Sequence, residues 1–137
     1  MEDFAYQLSL LTDKAYCVYT EPDVLDFTSI KQFRFVVLSQ KLKISAVIDR
    51  ENLPLLIGVL KQNLFCQNAI FIWYDQKSFN SYCLYHIKKI PDFKAFDLKV
   101  IESFCRIEKK KPENLLEAIN RLKACTGWKS IYNQLHT

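Results

Sequence analysis

The side chains best suited to metal or acid–base chemistry in this chain are carboxylates at the ends of apolar segments. Asp75 directly follows the apolar run of residues 69–74, and Asp97 precedes a helical pattern. Asp49 and Glu51 follow another alternating segment. Hydrolysis of a phosphodiester by two metal ions needs several carboxylates that converge on cations about 4 Å apart, and Mg²⁺ demands hard oxygen ligands. A metal site therefore depends on which of these acids the fold brings together.

Cys83 and His86 form a second candidate group, because they have the i, i+3 spacing of half a zinc site. The five cysteines of the chain include no CxxC pair, and no second pair at metal-ligand spacing completes the site. No Ser or Cys nucleophile with an orienting acid accompanies His86, which disfavours a Cys–His hydrolase. An odd number of cysteines without a secretory signal indicates reduced thiols in a cytoplasmic protein.

The candidate nucleic-acid contacts are Lys109, Lys110 and Lys111, the longest basic run in the chain. The net charge of +4 permits contact with DNA without requiring it. Gly58 and Gly127 are the only glycines, which excludes a Gly-rich phosphate loop. The N-terminus lacks the features of a signal peptide, and no apolar stretch approaches the roughly 20 residues that cross a bilayer. We therefore expect a soluble, cytoplasmic protein without a membrane partner.

The elements that must position these residues can be predicted from hydrophobic spacing. With 137 residues, 50% of them hydrophobic, the chain fits one domain spanning 1–137. Asp75 and Asp97 both stand where helix N-caps belong, and a last helix pair is expected from Pro112 and from Trp128. Apolar periodicity predicts a helix within 1–13, strands at 15–20, 31–39, 42–48 and 69–74, and helices at 53–64 and 76–86. This order indicates an α/β domain with a mixed sheet.

Three landmarks along the chain carry a resemblance to a known family. They are the strand Phe33–Ser39, the segment Ile70–Lys77 that contains Asp75, and Phe96-Asp97-Leu98 followed by Ser103-Phe104. Their order and spacing resemble the 3′–5′ exonuclease domain of family A (Pol I-type) DNA polymerases over roughly residues 15–125. The resemblance implies a ribonuclease H-like fold of the DEDD exonuclease type, a mixed sheet flanked by helices.

The chain departs from that family at the metal-binding positions. The first strand of the family carries an Asp-x-Glu pair, where this chain has Val36 and Leu38. Phe71 replaces the family's Asn, and no acidic residue follows Glu117 to supply its final Tyr-x-x-x-Asp motif. Asp75 alone remains, as a vestigial metal candidate. The resemblance therefore implies a fold without catalytic or metal-binding residues, which needs no cofactor, or Mg²⁺ only if the nuclease site is active.

The function implied by the resemblance is structural. The chain would be an inactive exonuclease-like domain, excised from a bacterial DNA polymerase I, that supports DNA synthesis in replication and repair. Its partner would be the polymerase domain of the same parent chain, a DNA-directed DNA polymerase, with weak DNA contact at most. Two alternatives stay open. One is a stand-alone protein-interaction module on the same fold, which an aromatic content of 14% would suit. The other is an active metal-dependent nuclease with relocated acids, Asp49, Glu51 and Asp75.

Overall fold

The computed structural model describes residues 1–40, 42–91, 93, 95–99 and Glu117. In chain order the elements are α1 (Glu2–Ser9), β1 (Ala15–Glu21), β2 (Gln32–Leu38), β3 (Lys43–Asp49), α2 (Leu53–Asn63), β4 (Ile70–Trp73), α3 (Gln76–Ile87) and β5 (Phe96–Asp97). The elements expected between residues 1 and 87 are all present. β5 was not expected, because two residues are too few for an alternating pattern to register. Within the described ranges, no helix is long and apolar enough to cross a membrane.

The five strands form one mixed sheet in the order β3-β2-β1-β4-β5. The pairs β1–β2 and β2–β3 are antiparallel, whereas β1–β4 and β4–β5 are parallel. Parallel neighbours require a crossover connection, and α3 supplies the one between β4 and β5. This order places β1 in the middle of the sheet, between β2 and β4. The carboxyl ends of β1, β4 and β5 consequently meet at one edge.

The sheet is held by apolar side chains on both of its faces. On one face, Trp73 packs with Phe35 and Phe79 at ring-centroid distances of 5.5 and 5.0 Å, which joins α3 to β2 and β4. Core residues from α1, α2 and α3 belong to the same apolar cluster. Val36 and Ile72 point to the opposite face and are also buried. The architecture is therefore a mixed α/β fold with a five-stranded sheet flanked by helices.

Several expectations fall on residues outside the described part of the chain. These are the helices predicted from Pro112 and Trp128 and the basic run of Lys109, Lys110 and Lys111. Asp97 is described: it is the last residue of β5, and Leu98 and Lys99, which follow it, have helical conformation. The sheet edge that carries Asp75 and Asp97 therefore lies within the described residues.

Candidate functional site

Asp75 is the residue at which the chain leaves β4 and begins α3. Its backbone has φ 62° and ψ 54°, a left-handed conformation that Asp tolerates better than most residues. One carboxylate oxygen accepts a hydrogen bond from the backbone N–H of Ser78 at 3.2 Å, and the Ser78 hydroxyl donates to the Asp75 carbonyl. Asp75 is thus the N-cap of α3, satisfying an amide that the helix itself leaves without a partner.

Asp97 fastens the end of β5 to the start of α3. It lies opposite Trp73 in the parallel pair of β4 and β5. Its Oδ1 accepts hydrogen bonds from the backbone N–H groups of Asp75 at 2.9 Å and Lys99 at 3.0 Å. Its Oδ2 accepts from the N–H of Gln76 at 3.1 Å. The Asp97 carboxylate therefore serves two chain segments at once, the first amides of α3 and the helical residues after β5.

Lys99 completes this group, because its ammonium lies 2.9 Å from Oδ2 of Asp75. The Asp75 side chain is 6% exposed and that of Lys99 is 37% exposed, so solvent reaches the lysine but hardly reaches the carboxylate. Asp75 now has a protein donor on each oxygen, from Ser78 and from Lys99. The lysine ammonium thus occupies a position on the carboxylate that a metal ion would need. Sequence reasoning missed Lys99, since its pairing with a residue 24 positions away depends on the tertiary fold.

The strand beside β4 differs from the one that the resemblance suggests. β1 pairs with β4, whereas Val36 and Leu38 belong to β2, one strand further away. In the β1–β4 register Val18 lies opposite Trp73, which brings Thr20 to the level of Asp75. The positions at which acids would face Asp75 therefore lie at the end of β1.

The one carboxylate within β1, that of Glu21, is directed away from Asp75. The buried Thr20 donates its hydroxyl hydrogen bond to the Pro22 carbonyl at 2.8 Å. Glu21 forms ion pairs with Arg34 on β2 at 3.8 Å and with Lys43 on β3 at 3.3 Å. Its carboxylate is therefore held toward β2 and β3, on the side away from β4.

The relocated acids of the alternative nuclease hypothesis also lie apart from Asp75. Asp49 ends β3, and three strand spacings of about 4.8 Å, roughly 14 Å in all, separate β3 from β4. The Asp49 carboxylate accepts hydrogen bonds from the backbone N–H groups of Glu51 and Asn52, which form the turn into α2. This separation exceeds the few ångströms over which carboxylates share two metal ions.

Cys83 and His86 do not form half of a metal site. Burial raises the pKa of the Cys83 thiol to about 12, and the side chain lies within the core. The imidazole Nε2 of His86 lies 3.1 Å from the carbonyl oxygen of Phe27, on the outer side of α3. Across residues 1–40, 42–91, 93 and 95–99 with Glu117, no three His, Cys, Asp or Glu side chains are grouped to hold a metal ion.

A hollow of about 380 Å³ lies beside the Asp97 carboxylate, along the outer side of α3. It is lined by Gln76, Lys77, Asn80, Ser81, Leu84, Ile90 and Asp97. Asn80 Oδ1 is buried there and has no hydrogen-bond partner among the described residues. The hollow offers hydrogen-bond acceptors and a hydroxyl, but its described lining carries no activated nucleophile.

Comparison of the chain with protein-family models, with curated proteins and with solved structures finds no match.

Proposed function

We propose that this chain is a catalytically inactive 3′–5′ exonuclease-like domain on a ribonuclease H-like fold. Its role is to support the DNA-synthesis machinery of a bacterial Pol I-type DNA polymerase in the cytoplasm. The domain needs no metal ion, and its partner is the polymerase domain of the parent chain. Replication and repair synthesis belong to that partner.

The sheet supports the choice of fold. Three successive antiparallel strands precede two strands that run parallel to β1, and helices separate β3 from β4 and β4 from β5. Apolar periodicity predicted this order of strands first and then alternating helices and a strand, to which the structure adds β5. Asp75 stands at the end of β4 beside the central β1, where ligands of open α/β sheets usually bind.

One observation carries the proposal that the domain is inactive: the Lys99 ammonium lies 2.9 Å from the Asp75 carboxylate. A fixed cation on this oxygen competes with a metal ion both for space and for negative charge. Asp97 is equally committed, because three backbone amides use its two oxygens. Both acids make the contacts of helix caps, and this structural role accounts for their presence at the sheet edge without nuclease chemistry.

A combined metal-binding and nuclease experiment tests the loss of catalysis. Mg²⁺ and Mn²⁺ are titrated calorimetrically into the protein, and single-stranded DNA labelled at its 5′ end is incubated with the same sample. Asp75→Asn and Lys99→Met serve as matched variants, since both keep the size of the side chain and remove its charge. We expect neither ion binding nor shortening of the DNA in any of the three proteins. Metal-dependent 3′-end shortening that Asp75→Asn abolishes would contradict the proposal.

The architectural role needs a second experiment. A Pol I-type polymerase domain from the same source, expressed without its exonuclease-like domain, is titrated with this chain and followed by calorimetry. We expect saturable binding that does not depend on Mg²⁺. If no binding is detected at protein concentrations near 0.1 mM, corresponding to an affinity weaker than about 5 kcal/mol, the assigned partner is wrong.

A further inference from the structure

A groove at the C-terminal end of α3, the end away from Asp75, combines exposed aromatic rings with positive charge. It has a volume of about 490 Å³ and lies between the segment before β2, the turn after β3 and the C-terminal end of α3. The Phe27 and Tyr85 rings are 4.9 Å apart in a tilted arrangement, and they are 38% and 52% exposed. The charged residues that line the groove are Lys31, Arg50 and Lys88, together with His86. No carboxylate belongs to the described lining.

The two sides of this groove suit different parts of a nucleotide. Lys31 and Arg50 directly adjoin Gln32 and Asp49, which are paired across β2 and β3, so the two cations are neighbours on one wall. No ion pair joins either of them to another described residue. Phe27 and Tyr85, whose rings contact each other, line the same groove. Base stacking on aromatic rings combined with backbone contact to a basic groove is the way in which proteins bind single-stranded nucleic acid.

The charges around the groove indicate where the phosphates of a bound strand would lie. The C-terminal carbonyls of α3 carry partial negative charge, and Lys88 Nζ already donates to the Tyr85 carbonyl at 3.4 Å. The Lys88 charge is thus partly used by these carbonyls, and phosphates are favoured most next to Lys31 and Arg50. Three acids adjoin these residues in sequence: Asp49 and Glu51 flank Arg50, and Asp26 precedes Phe27. The Asp49 carboxylate accepts from the backbone amides of the turn into α2, and that of Asp26 accepts from Thr28.

We propose that this groove binds single-stranded nucleic acid, with bases stacked on Phe27 and Tyr85 and phosphates paired with Lys31 and Arg50. About 16 Å of helix separates His86 from Asp75, so the groove is distinct from the sheet-edge group of Asp75, Asp97 and Lys99. The inference does not depend on the proposed function. It is independent of Lys109–Lys111 and of any metal ion.

Fluorescence anisotropy with a fluorescein-labelled oligothymidylate of about eight nucleotides, a length typical for one such site, tests this inference. The measurements are made in EDTA, which separates binding from any nuclease activity. Tyr85→Ala should weaken binding roughly tenfold, as expected for the loss of one base–aromatic stack. Lys31→Ser combined with Arg50→Ser should also weaken binding. It should reduce the slope of log affinity against log salt concentration by about 1.4, or 0.7 for each phosphate that the protein no longer neutralises.

Matched controls distinguish the groove from general attraction of DNA to a basic protein. Tyr6→Ala removes an exposed tyrosine of α1, and Lys61→Ser combined with Lys77→Ser removes two exposed lysines outside the groove lining. All variants are also prepared with Lys109–Lys111 replaced by serine, so that this run cannot substitute for the groove. Circular dichroism verifies that each variant is folded. The inference is overturned if the parent protein does not bind the oligonucleotide, or if the groove variants bind it as tightly as the controls do.

Discussion

The two ends of α3 use polar side chains in opposite ways. At the N-terminal end, Asp75 and Asp97 are fully engaged by donors of the protein itself, namely backbone amides and the Lys99 ammonium. At the C-terminal end, the aromatic rings and the cations of the groove extend into solvent, and Lys31 and Arg50 have no ion-pair partner among the described residues. The presence of charged residues therefore does not identify a binding site; their unused hydrogen-bonding capacity does.

The family resemblance drew attention to the end that is closed. Asp75 is attractive from sequence because it follows a buried strand, and that position also requires a helix cap. The groove at the C-terminal end was not predicted from the sequence, because its residues come from three separate segments around positions 27–31, 50 and 82–88. If the comparison is right, substitutions at the closed end reduce stability, whereas substitutions at the open end reduce binding.

The largest loss of stability is expected for Asp97→Ala. The substitution leaves three backbone N–H groups, those of Asp75, Gln76 and Lys99, without their acceptor. Hydrogen bonds to charged groups are individually worth about 1.5–3 kcal/mol, and these are only partly buried. We expect the free energy of unfolding to fall by roughly 2–4 kcal/mol, seen as a lower urea midpoint at constant slope.

The conservative variant Asp97→Asn sharpens this test. It keeps the oxygen that serves Asp75 and Lys99 but places an NH₂ donor against the N–H of Gln76, so it should lose about half as much stability. Glu51→Ala serves as the control, since Glu51 is an exposed turn acid of which only the backbone N–H takes part in a described hydrogen bond. It should leave the midpoint nearly unchanged. An Asp97→Ala protein as stable as its parent would mean that the sheet edge is not held by this carboxylate.

Substitutions of Asp75 should follow an order set by its cap and by its left-handed backbone. Asp75→Ala removes the acceptor of the Ser78 N–H. It also leaves a residue at φ 62° whose side chain cannot form the local hydrogen bond that makes this backbone conformation tolerable for Asp. The expected cost is about 1–3 kcal/mol. Asp75→Gly should cost less than alanine because glycine adopts this conformation freely. Asp75→Asn should cost least. Urea unfolding of the three variants checks the order, and equal losses for alanine and glycine would show that backbone conformation does not contribute.

Between the two ends, one side of α3 is buried, and the Cys83 thiol on that side links stability to pH. Burial raises the pKa of Cys83 to about 12 and that of Cys17 to about 11, from an ordinary value of 9.0. Unfolded thiols ionise first as pH rises, so the full stability holds below pH 9 and is lost above it. Each thiol should lower the free energy of unfolding by about 1.4 kcal/mol at pH 10 relative to its value well below pH 9.

The loss of stability at alkaline pH can be assigned to individual thiols with two cysteine variants measured under reducing conditions. Cys83→Ala should decrease the difference in stability between pH 8 and pH 10 by the share of one thiol, whatever its effect at pH 8. Cys17→Ala should decrease it by a similar amount, because burial also raises the pKa of the Cys17 thiol. If Cys83→Ala retains the full pH dependence, the thiol does not stay protonated in the folded protein.

How far the sequence leads can be judged from particular residues. The strands and helices up to residue 87 were predictable because apolar residues recur with periods of two and 3.6. The cap position of Asp75 was also predictable, since it depends on local order alone. The pairing of β1 with β4 was not, because strand neighbours are chosen by tertiary packing. The Lys99–Asp75 pair and the groove depend on that same long-range arrangement, so no local sequence pattern predicts them.

The smallest effect, and the one that most directly joins stability to binding, is expected at Lys88. This residue ends α3 with φ 59° in the left-handed region, and its N–H bonds to the Leu84 carbonyl. Lys88→Gly relieves the backbone conformation, while the added freedom of the unfolded chain offsets part of the gain. We expect the free energy of unfolding to rise by about 0.5 kcal/mol. The affinity for the oligonucleotide should decrease slightly, because one groove cation is removed.

Lys89→Gly is the matched control, since it removes the same charge from the next residue, which lies outside both the groove lining and the left-handed region. It should not stabilise the protein and should leave oligonucleotide affinity unchanged. Opposite signs for stability and affinity at Lys88 alone would separate what this end of α3 does for binding from what it does for the fold. Loss of stability with unchanged affinity would instead make the C-terminal end structural, like the N-terminal end, and the contrast between the two would disappear.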